Sequence, residues 1–235
     1  MKNILRLVSG SIVLLLIALP PDAYSQLPDP TRFEREISRF ERDDERNPPP
    51  ENAIVLTGSS SIGRWNNQAE AALAPLTVIP RGFGGSIMND LVHDIDRVAI
   101  NYKPRAVLIY EGDNDTSPGS MIPLAMITSQ LEEIIERIHV QLPEARIYVL
   151  SVKPSPIRES VWERAQLLNE HYQELADANP LVHYVDVATP LLEEDGSMRR
   201  DIYMRDDLHL NGSGNDIWGA TIKAALMPIE AQYEE

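Results

Sequence analysis

Three consecutive serines follow a short apolar run that reads as a β-strand. The run covers residues 53–57, Gly58 comes next, and the serines are Ser59, Ser60 and Ser61. A serine hydroxyl at a strand-to-helix turn could act as a nucleophile, because the N–H groups at a helix N-terminus can stabilise an oxyanion. Serine is also a common helix N-cap, and capping is the simpler interpretation of this segment alone.

An acid and a histidine stand three residues apart near the end of the chain. A single turn would bring the carboxylate of Asp206 to the imidazole of His209. A carboxylate on one ring nitrogen fixes the tautomer and leaves the other nitrogen free as a base. Asp-x-x-His also arises often by chance. The other histidines lie inside helix or strand patterns and are expected to be packing or surface residues: His93, His139, His171 and His183.

Two further loops contain glycine and polar residues. Gly82, Gly84 and Gly85 let the backbone approach a neighbour closely or adopt positive φ. A dinucleotide-binding fingerprint is excluded, because Ile87 stands where the third glycine would be required. The second loop, residues 111–115, is by itself only a polar turn.

Alternating strand and helix patterns must position these loops. Short runs rich in β-branched residues predict strands at 53–57, 76–79, 106–110, 146–151 and 183–187, and helical patterns lie near 67–74, 87–101, 121–141, 160–178 and 213–227. This alternation predicts an α/β fold, a three-layer α/β/α arrangement with a flavodoxin-like, doubly wound, five-stranded parallel sheet. Functional residues of such sheets lie beyond the carboxyl ends of the strands, where all four loops are expected.

The first 25 residues have the pattern of a secretory signal peptide. Lys2 and Arg6 precede the uncharged apolar run 11–19, and Ala23 and Ser25 place small residues before a possible cleavage site. A membrane anchor is the alternative, but the run is short for a span of about 20 residues. We therefore expect an exported protein, periplasmic or secreted, without a membrane span in its mature form.

Residues 26–50 are predicted to form an N-terminal helix and a Pro-rich linker, ahead of one α/β domain at 51–235. Phe33, Ile37 and Phe40 form one apolar stripe on a highly charged helix. The stripe could bind a partner, but docking on the protein's own core is the favoured interpretation. Prolines at 48–50 end the helix.

Composition excludes several classes of function. Lysine and arginine total 21 against 36 acidic residues, a formal net charge of −15 over 235 residues. Nucleic acids and anionic membranes are therefore poor partners. The chain has no cysteine, which excludes zinc–thiolate sites, iron–sulfur clusters and thiol nucleophiles. No cluster suggests a metal ion, and no cofactor is expected.

Taken together, the four loops resemble the SGNH hydrolases, also called the GDSL esterase/lipase family. The matching blocks are Gly58-Ser59-Ser60, Gly84-Gly85-Ser86, Gly112-Asp113-Asn114-Asp115 and Asp206-Asp207-Leu208-His209. The chain is most similar to a bacterial exported subgroup with a Gly-Ser-Ser-Ser-Ile nucleophile block followed by a tryptophan. Further segments shared with that subgroup are Asn47–Pro50, Arg81–Ser86 and Lys153–Pro156. Ser59 stands where the family name has Asp, a change that the subgroup shares.

The resemblance implies a metal-independent serine esterase. Ser60 would be the nucleophile, with Ser59 and Ser61 as minor alternatives, and His209 would be the base held by Asp206. The oxyanion hole would consist of the Ser60 N–H, the Gly85 N–H and the Asn114 side-chain amide.

Several substrates remain compatible with these residues. The absence of a long apolar insertion favours a small acyl group such as acetyl over a lipid chain. A general short-chain carboxylesterase, a carbohydrate acetylesterase, a lysophospholipase-like deacylase and an acyltransferase would use the same residues. A non-catalytic exported binding module would not need all of them.

Six other side chains could contact a substrate. Trp65, Trp162 and Trp218 could stack on a sugar, although core packing is favoured. Basic side chains near predicted loop ends could bind an acidic group, although surface salt bridges are favoured for them: Arg81, Lys153 and Arg158.

Overall fold

The computed structural model of the protein describes residues 27–120 and 122–234. The predicted signal peptide at 1–25 lies outside the described residues and stays a prediction.

Five short strands form one parallel sheet, as the sequence predicts. They are β1 (Ile54–Gly58), β2 (Val78–Gly82), β3 (Ala106–Tyr110), β4 (Arg146–Leu150) and β5 (Val182–Val185). The spatial order is β2-β1-β3-β4-β5, with every neighbouring pair parallel, which is the flavodoxin-like order. β2 runs beyond the predicted 76–79 and includes Pro80, which an edge strand tolerates because it need not donate on its outer side.

Helices cover both faces of the sheet. They are α1 (Glu34–Arg46), α2 (Ser60–Leu73), α3 (Met88–Val98), α4 (Leu124–Gln141), α5 (Trp162–Ala178) and α6 (Gly212–Glu230). Because alternate residues of a strand point to opposite faces, Val55 and Val107 pack with α1, α3, α4 and α5, whereas Leu56 and Leu108 pack with α2 and α6. The three-layer α/β/α prediction is confirmed.

α1 docks on the protein's own core. Ile37 and Phe40 are buried in the core on the α3–α4 side of the sheet, and Phe33 packs edge-on against Phe83 with ring centroids 5.2 Å apart. Arg97 of α3 also binds two acidic side chains of α1, Glu34 and Glu41. The apolar stripe of α1 is thus packed against the protein's own core.

A buried charged cluster fastens the C-terminal helix to the amino ends of the strands. The carboxylate of Glu230, fully buried, accepts from the Tyr148 hydroxyl at 2.7 Å and from Arg105 Nε at 3.0 Å. Arg146 donates to the same carboxylate at 3.0 Å. This cluster holds the edge of the sheet opposite the polar loops.

None of the helices within the described ranges is long and apolar enough to span a bilayer.

Candidate active site

The turn after β1 places Ser60 at the start of α2. Gly58 has φ +119°, and a Cβ there would lie 2.1 Å from the Tyr110 carbonyl oxygen, so only glycine fits. The Ser59 N–H donates to that oxygen at 2.9 Å. The sequence predicts a helix only from residue 67, because the polar first turn lacks apolar periodicity. The earlier start puts the Ser60 hydroxyl at a helix N-terminus.

Ser60, His209 and Asp206 form one chain of hydrogen bonds. Ser60 Oγ lies 2.9 Å from His209 Nε2, and His209 Nδ1 lies 2.7 Å from Asp206 Oδ2. The other oxygen of Asp206 accepts the backbone N–H of His209 at 3.0 Å. Asp207, with φ +53°, turns the loop between them. The structure thus brings these three predicted residues into direct contact across 149 positions of sequence.

Electrostatics favour a neutral imidazole in this chain. Burial lowers the pKa of His209, and the nearby Arg64 guanidinium lowers it further, while Asp206 opposes both. Burial disfavours ionisation of Asp206, but its hydrogen bonds from His209 outweigh that effect and lower its pKa. With Nδ1–H donating to Asp206, the free Nε2 can accept the Ser60 proton, and the arrangement can generate a serine nucleophile.

One predicted oxyanion donor, the Asn114 amide, lies next to Ser59 and already has partners. Asn114 Nδ2 donates to Ser59 Oγ at 2.7 Å and to the Ser86 carbonyl at 2.8 Å. Gly85, at φ +77° and exposed, precedes Ser86 in the glycine loop. An incoming oxyanion would therefore compete with the Ser59 hydroxyl for an amide N–H of Asn114.

Arg158 fixes which way the Asn114 amide points. Arg158 Nη2 donates to Asn114 Oδ1 at 2.6 Å, and Nη1 donates to the Asp113 carbonyl at 2.7 Å. Because a guanidinium has only donors, Oδ1 must face Arg158, and the NH₂ group must face Ser59. Sequence reasoning missed this contact, because the only signal for it was a basic residue near a predicted loop end.

Lys153 connects the asparagine loop to the histidine loop. Its ammonium is 1% exposed and donates to the Leu208 carbonyl at 2.8 Å and to Asp113 Oδ2 at 3.4 Å. Burial lowers the pKa of Lys153, and the Asp113 carboxylate opposes that shift. Burial would raise the pKa of Asp113, but Lys153 and Arg158 lower it. The interpretation of Lys153 as a surface salt bridge is wrong, because carboxylate and carbonyl partners let the charge be buried.

The other side chains offered above as possible substrate contacts lie in or against the protein's own structure. Arg81 pairs with Asp44 and donates to the Tyr102 hydroxyl at 2.7 Å, so it is not available to a substrate. Trp65 and Trp218 are each 1% exposed, which confirms the core interpretation for both, whereas Trp162 is half-buried.

A very small cleft borders the imidazole. It is lined by Arg64, His209, Asn215 and Trp218 among others, and its volume is about 10 Å³, room for about one water molecule. Across residues 27–120 and 122–234, no group of three or more His, Cys, Asp or Glu side chains is placed to hold a metal ion.

Removing the guanidinium of Arg158 should reduce turnover without removing any group that contacts substrate. We expect Arg158→Met to lower kcat for p-nitrophenyl acetate by about 10- to 100-fold, less than the loss of a whole oxyanion donor. KM should change little, because the defect is in orientation of the Asn114 amide. Steady-state kinetics would measure kcat and KM, and a thermal melt on the same preparation would show that the variant is folded.

The matched control is Arg200→Met, an exposed arginine that pairs with Glu159 in the same segment. Unchanged kcat in Arg158→Met, or an equal loss in the control, would show that Asn114 is oriented without Arg158.

The chain is similar to one known protein family and to solved structures with the same fold. The model of the GDSL-like Lipase/Acylhydrolase family matches residues 50–217. A search of curated proteins gave no match. A GDSL-like lipase from Bacteroides thetaiotaomicron superposes with a TM-score of 0.70 at 22% identity, covering 82% of this chain and 97% of that one.

Two esterases share the fold at lower identity. A carbohydrate esterase family 3 protein from Talaromyces cellulolyticus gives a TM-score of 0.59 at 16% identity, over 77% of this chain and 99% of that one. An acetyl xylan esterase gives 0.63 at 17% identity, over 74% and 99%.

Proposed function

The chain belongs to the GDSL-like lipase/acylhydrolase family and is an ester hydrolase, and from that premise we propose that it cleaves short-chain acyl esters, acetyl esters foremost, through an acyl-enzyme on Ser60. The observation that carries this proposal is the hydrogen-bonded chain from Ser60 Oγ to His209 Nε2 at 2.9 Å and from His209 Nδ1 to Asp206 at 2.7 Å.

Each group has a defined role in the proposed reaction. Ser60 Oγ attacks the ester carbonyl while His209 Nε2 takes its proton, and Asp206 stabilises the resulting imidazolium. The N–H groups of Ser60 and Gly85 and the Asn114 amide stabilise the oxyanion. Collapse of the tetrahedral intermediate releases the alcohol, which His209 protonates as it leaves. Water activated by the same imidazole then releases the carboxylic acid and restores the Ser60 hydroxyl.

Two observations support a small acyl group. The sequence contains no long apolar insertion of the kind that would form a lipase-like lid. Among proteins with this fold are an acetyl xylan esterase and a carbohydrate esterase. A carbohydrate acetylesterase is therefore the more specific form of the proposal. A lysophospholipase-like deacylase is the alternative, and the preference for a small acyl group disfavours it.

We also propose that the protein is exported, to the periplasm or beyond the cell, and that it belongs to the bacterial exported subgroup described above. The charge and apolar pattern of residues 1–25 and the Gly58–Ile62 segment support these two proposals.

A series of p-nitrophenyl esters tests the acyl-chain proposal. We expect kcat/KM to fall by about tenfold or more between acetate and octanoate, because a chain that the site cannot accommodate displaces the ester carbonyl from its reactive position. The Ser60→Ala variant is the background control. Equal or better hydrolysis of octanoate would refute the short-chain proposal while leaving the esterase assignment intact.

A further inference from the structure

A row of arginines runs along the exposed side of α1 and of the short 3₁₀ helix before it, Pro30–Phe33. Successive members are separated by three or four residues, so they share one side of the helix. They are Arg32, Arg35, Arg39, Arg42 and Arg46, and all five are exposed. Residues 29–46 contain seven acidic residues as well as these five arginines, so the arginines mark one side of a segment that is not basic overall.

Three acidic side chains near this row pair with arginines outside it, and a fourth pairs with a member of the row. Asp44 pairs with Arg81, and Asp43 lies 3.7 Å from Arg46. Glu34 and Glu41 bind Arg97 of α3. Within the described parts of the chain, the three central members of the row pair with no carboxylate: Arg35, Arg39 and Arg42.

Two adjoining grooves lie along these arginines. One groove, of about 550 Å³, is lined by Arg32, Arg35, Arg39 and Arg42 with Phe33 and Glu36. The other, also about 550 Å³, lies between α1 and α2, and Arg39 lines it too. Each volume is within the range of small-molecule sites in proteins. We call the pair the arginine groove.

The arginine groove reaches the candidate active site at two places. Gly63, one turn after Ser60 on α2, lines the groove between the helices. At the other place, Arg32 Nη2 donates to the Gly85 carbonyl at 3.5 Å, and the Gly84 N–H donates to Glu36 at 3.4 Å. A chain-like ligand in the groove would therefore lie next to the first turns of α2 and the glycine loop.

We propose that the arginine groove binds the carboxylate groups of an acidic polysaccharide whose acetyl esters are hydrolysed at Ser60. This inference rests on the proposed function and names its substrate class. Arginine binds carboxylates through two parallel hydrogen bonds, and Arg35 to Arg42 span about 10 Å of helix axis, enough for successive sugar units.

The rest of the lining fits a sugar polymer better than other polyanions. Asn66, Asn67 and Glu70 line the groove between the helices and offer amide and carboxylate partners to hydroxyl groups. Asp43 and Asp44 also line that groove, so a densely charged polyphosphate would be repelled more strongly than a uronate polymer, which carries one charge per sugar.

The test compares acetylated polygalacturonate with acetylated dextran at matched acetyl content, by following acetate release. We expect wild-type protein to favour the acidic polymer in kcat/KM, and high salt to weaken the preference. Arg35→Gln/Arg39→Gln/Arg42→Gln should reduce the ratio of the two kcat/KM values about tenfold, equivalent to about 1.4 kcal/mol. The control variant Arg137→Gln/Arg200→Gln/Lys223→Gln removes the same charge elsewhere and should keep the ratio.

A binding measurement separates this inference from the proposed function. The Ser60→Ala variant should bind unacetylated polygalacturonate by calorimetry, and the added triple arginine substitution should abolish that binding. No preference for the acidic polymer, or a preference equally reduced in the control variant, would overturn the proposal that the arginine groove binds the carboxylates of the polymer. Equally tight binding of heparin, DNA or anionic vesicles would overturn its specificity for uronates. Failure of wild-type protein to hydrolyse p-nitrophenyl acetate would instead refute the proposed function.

Discussion

Replacing Ser60 with alanine should lower hydrolysis of p-nitrophenyl acetate by about four orders of magnitude or more, as expected when the nucleophile of a catalytic triad is removed. No other hydroxyl can substitute, because His209 Nε2 is directed at Ser60 Oγ at 2.9 Å. The measurement is kcat for the purified variant, with a thermal melt to show that it is folded. A fluorophosphonate probe should label wild-type protein at Ser60 and leave the variant unlabelled.

The neighbouring serines provide matched controls for this prediction. Ser61→Ala should retain near-wild-type turnover. Ser59→Ala should have an intermediate effect, because Ser59 Oγ accepts from the Asn114 amide at 2.7 Å. Turnover of Ser60→Ala close to that of wild-type protein would remove Ser60 from the nucleophile's role.

Asp206→Asn should lower kcat by about 10⁴-fold, because an amide nitrogen facing His209 Nδ1 favours the wrong imidazole tautomer. Asp207→Asn is its matched control. Asp207 lies in the turn at φ +53°, a conformation that asparagine tolerates, and the imidazole contact at 2.7 Å belongs to Asp206. Asp207→Asn should therefore retain most of the activity.

Kinetics of the two variants over a range of pH would separate these roles. A larger loss in Asp207→Asn than in Asp206→Asn would mean that the carboxylate is wrongly assigned. The Asp206 carboxylate raises the pKa of His209 against the effect of burial. If activity falls off on the acid side at the same pH in wild type and in Asp206→Asn, that result would also count against the contact between Asp206 and His209.

The sheet could be predicted because its signals are local. Each strand is a short apolar run, and parallel connection through helices leaves few possible orders. The start of α2 could not be predicted, since Ser60 and Ser61 are polar and the helix is stabilised there by packing of Ile62 and Trp65. Strand β2 was placed too early because Pro80 and Arg81 are poor strand formers.

The contacts among Ser60, His209 and Asp206 could be anticipated from the sequence, whereas the contacts that support the site could not. Asp206 and His209 are close in sequence, and the serine and glycine loops resemble known blocks, so their assembly could be anticipated. The contacts of Arg158 with Asn114 and of Lys153 with Leu208 cross 44 and 55 positions. No periodicity or spacing reports such contacts, and a basic residue in an acidic chain is more simply explained by surface pairing.

The docking of α1 and the burial of Glu230 bear on where the chain can be shortened. The family model ends at residue 217, before Glu230, and begins at residue 50, after α1. A recombinant protein cut to that interval would uncover Phe83 and strip Arg105 and Arg146 of their buried counter-charge. Loss of one partner from a buried ion pair costs about 3–5 kcal/mol, a large share of the total folding free energy of an ordinary domain. Expression of the trimmed form should therefore yield insoluble material, whereas residues 27–234 should suffice for a folded product.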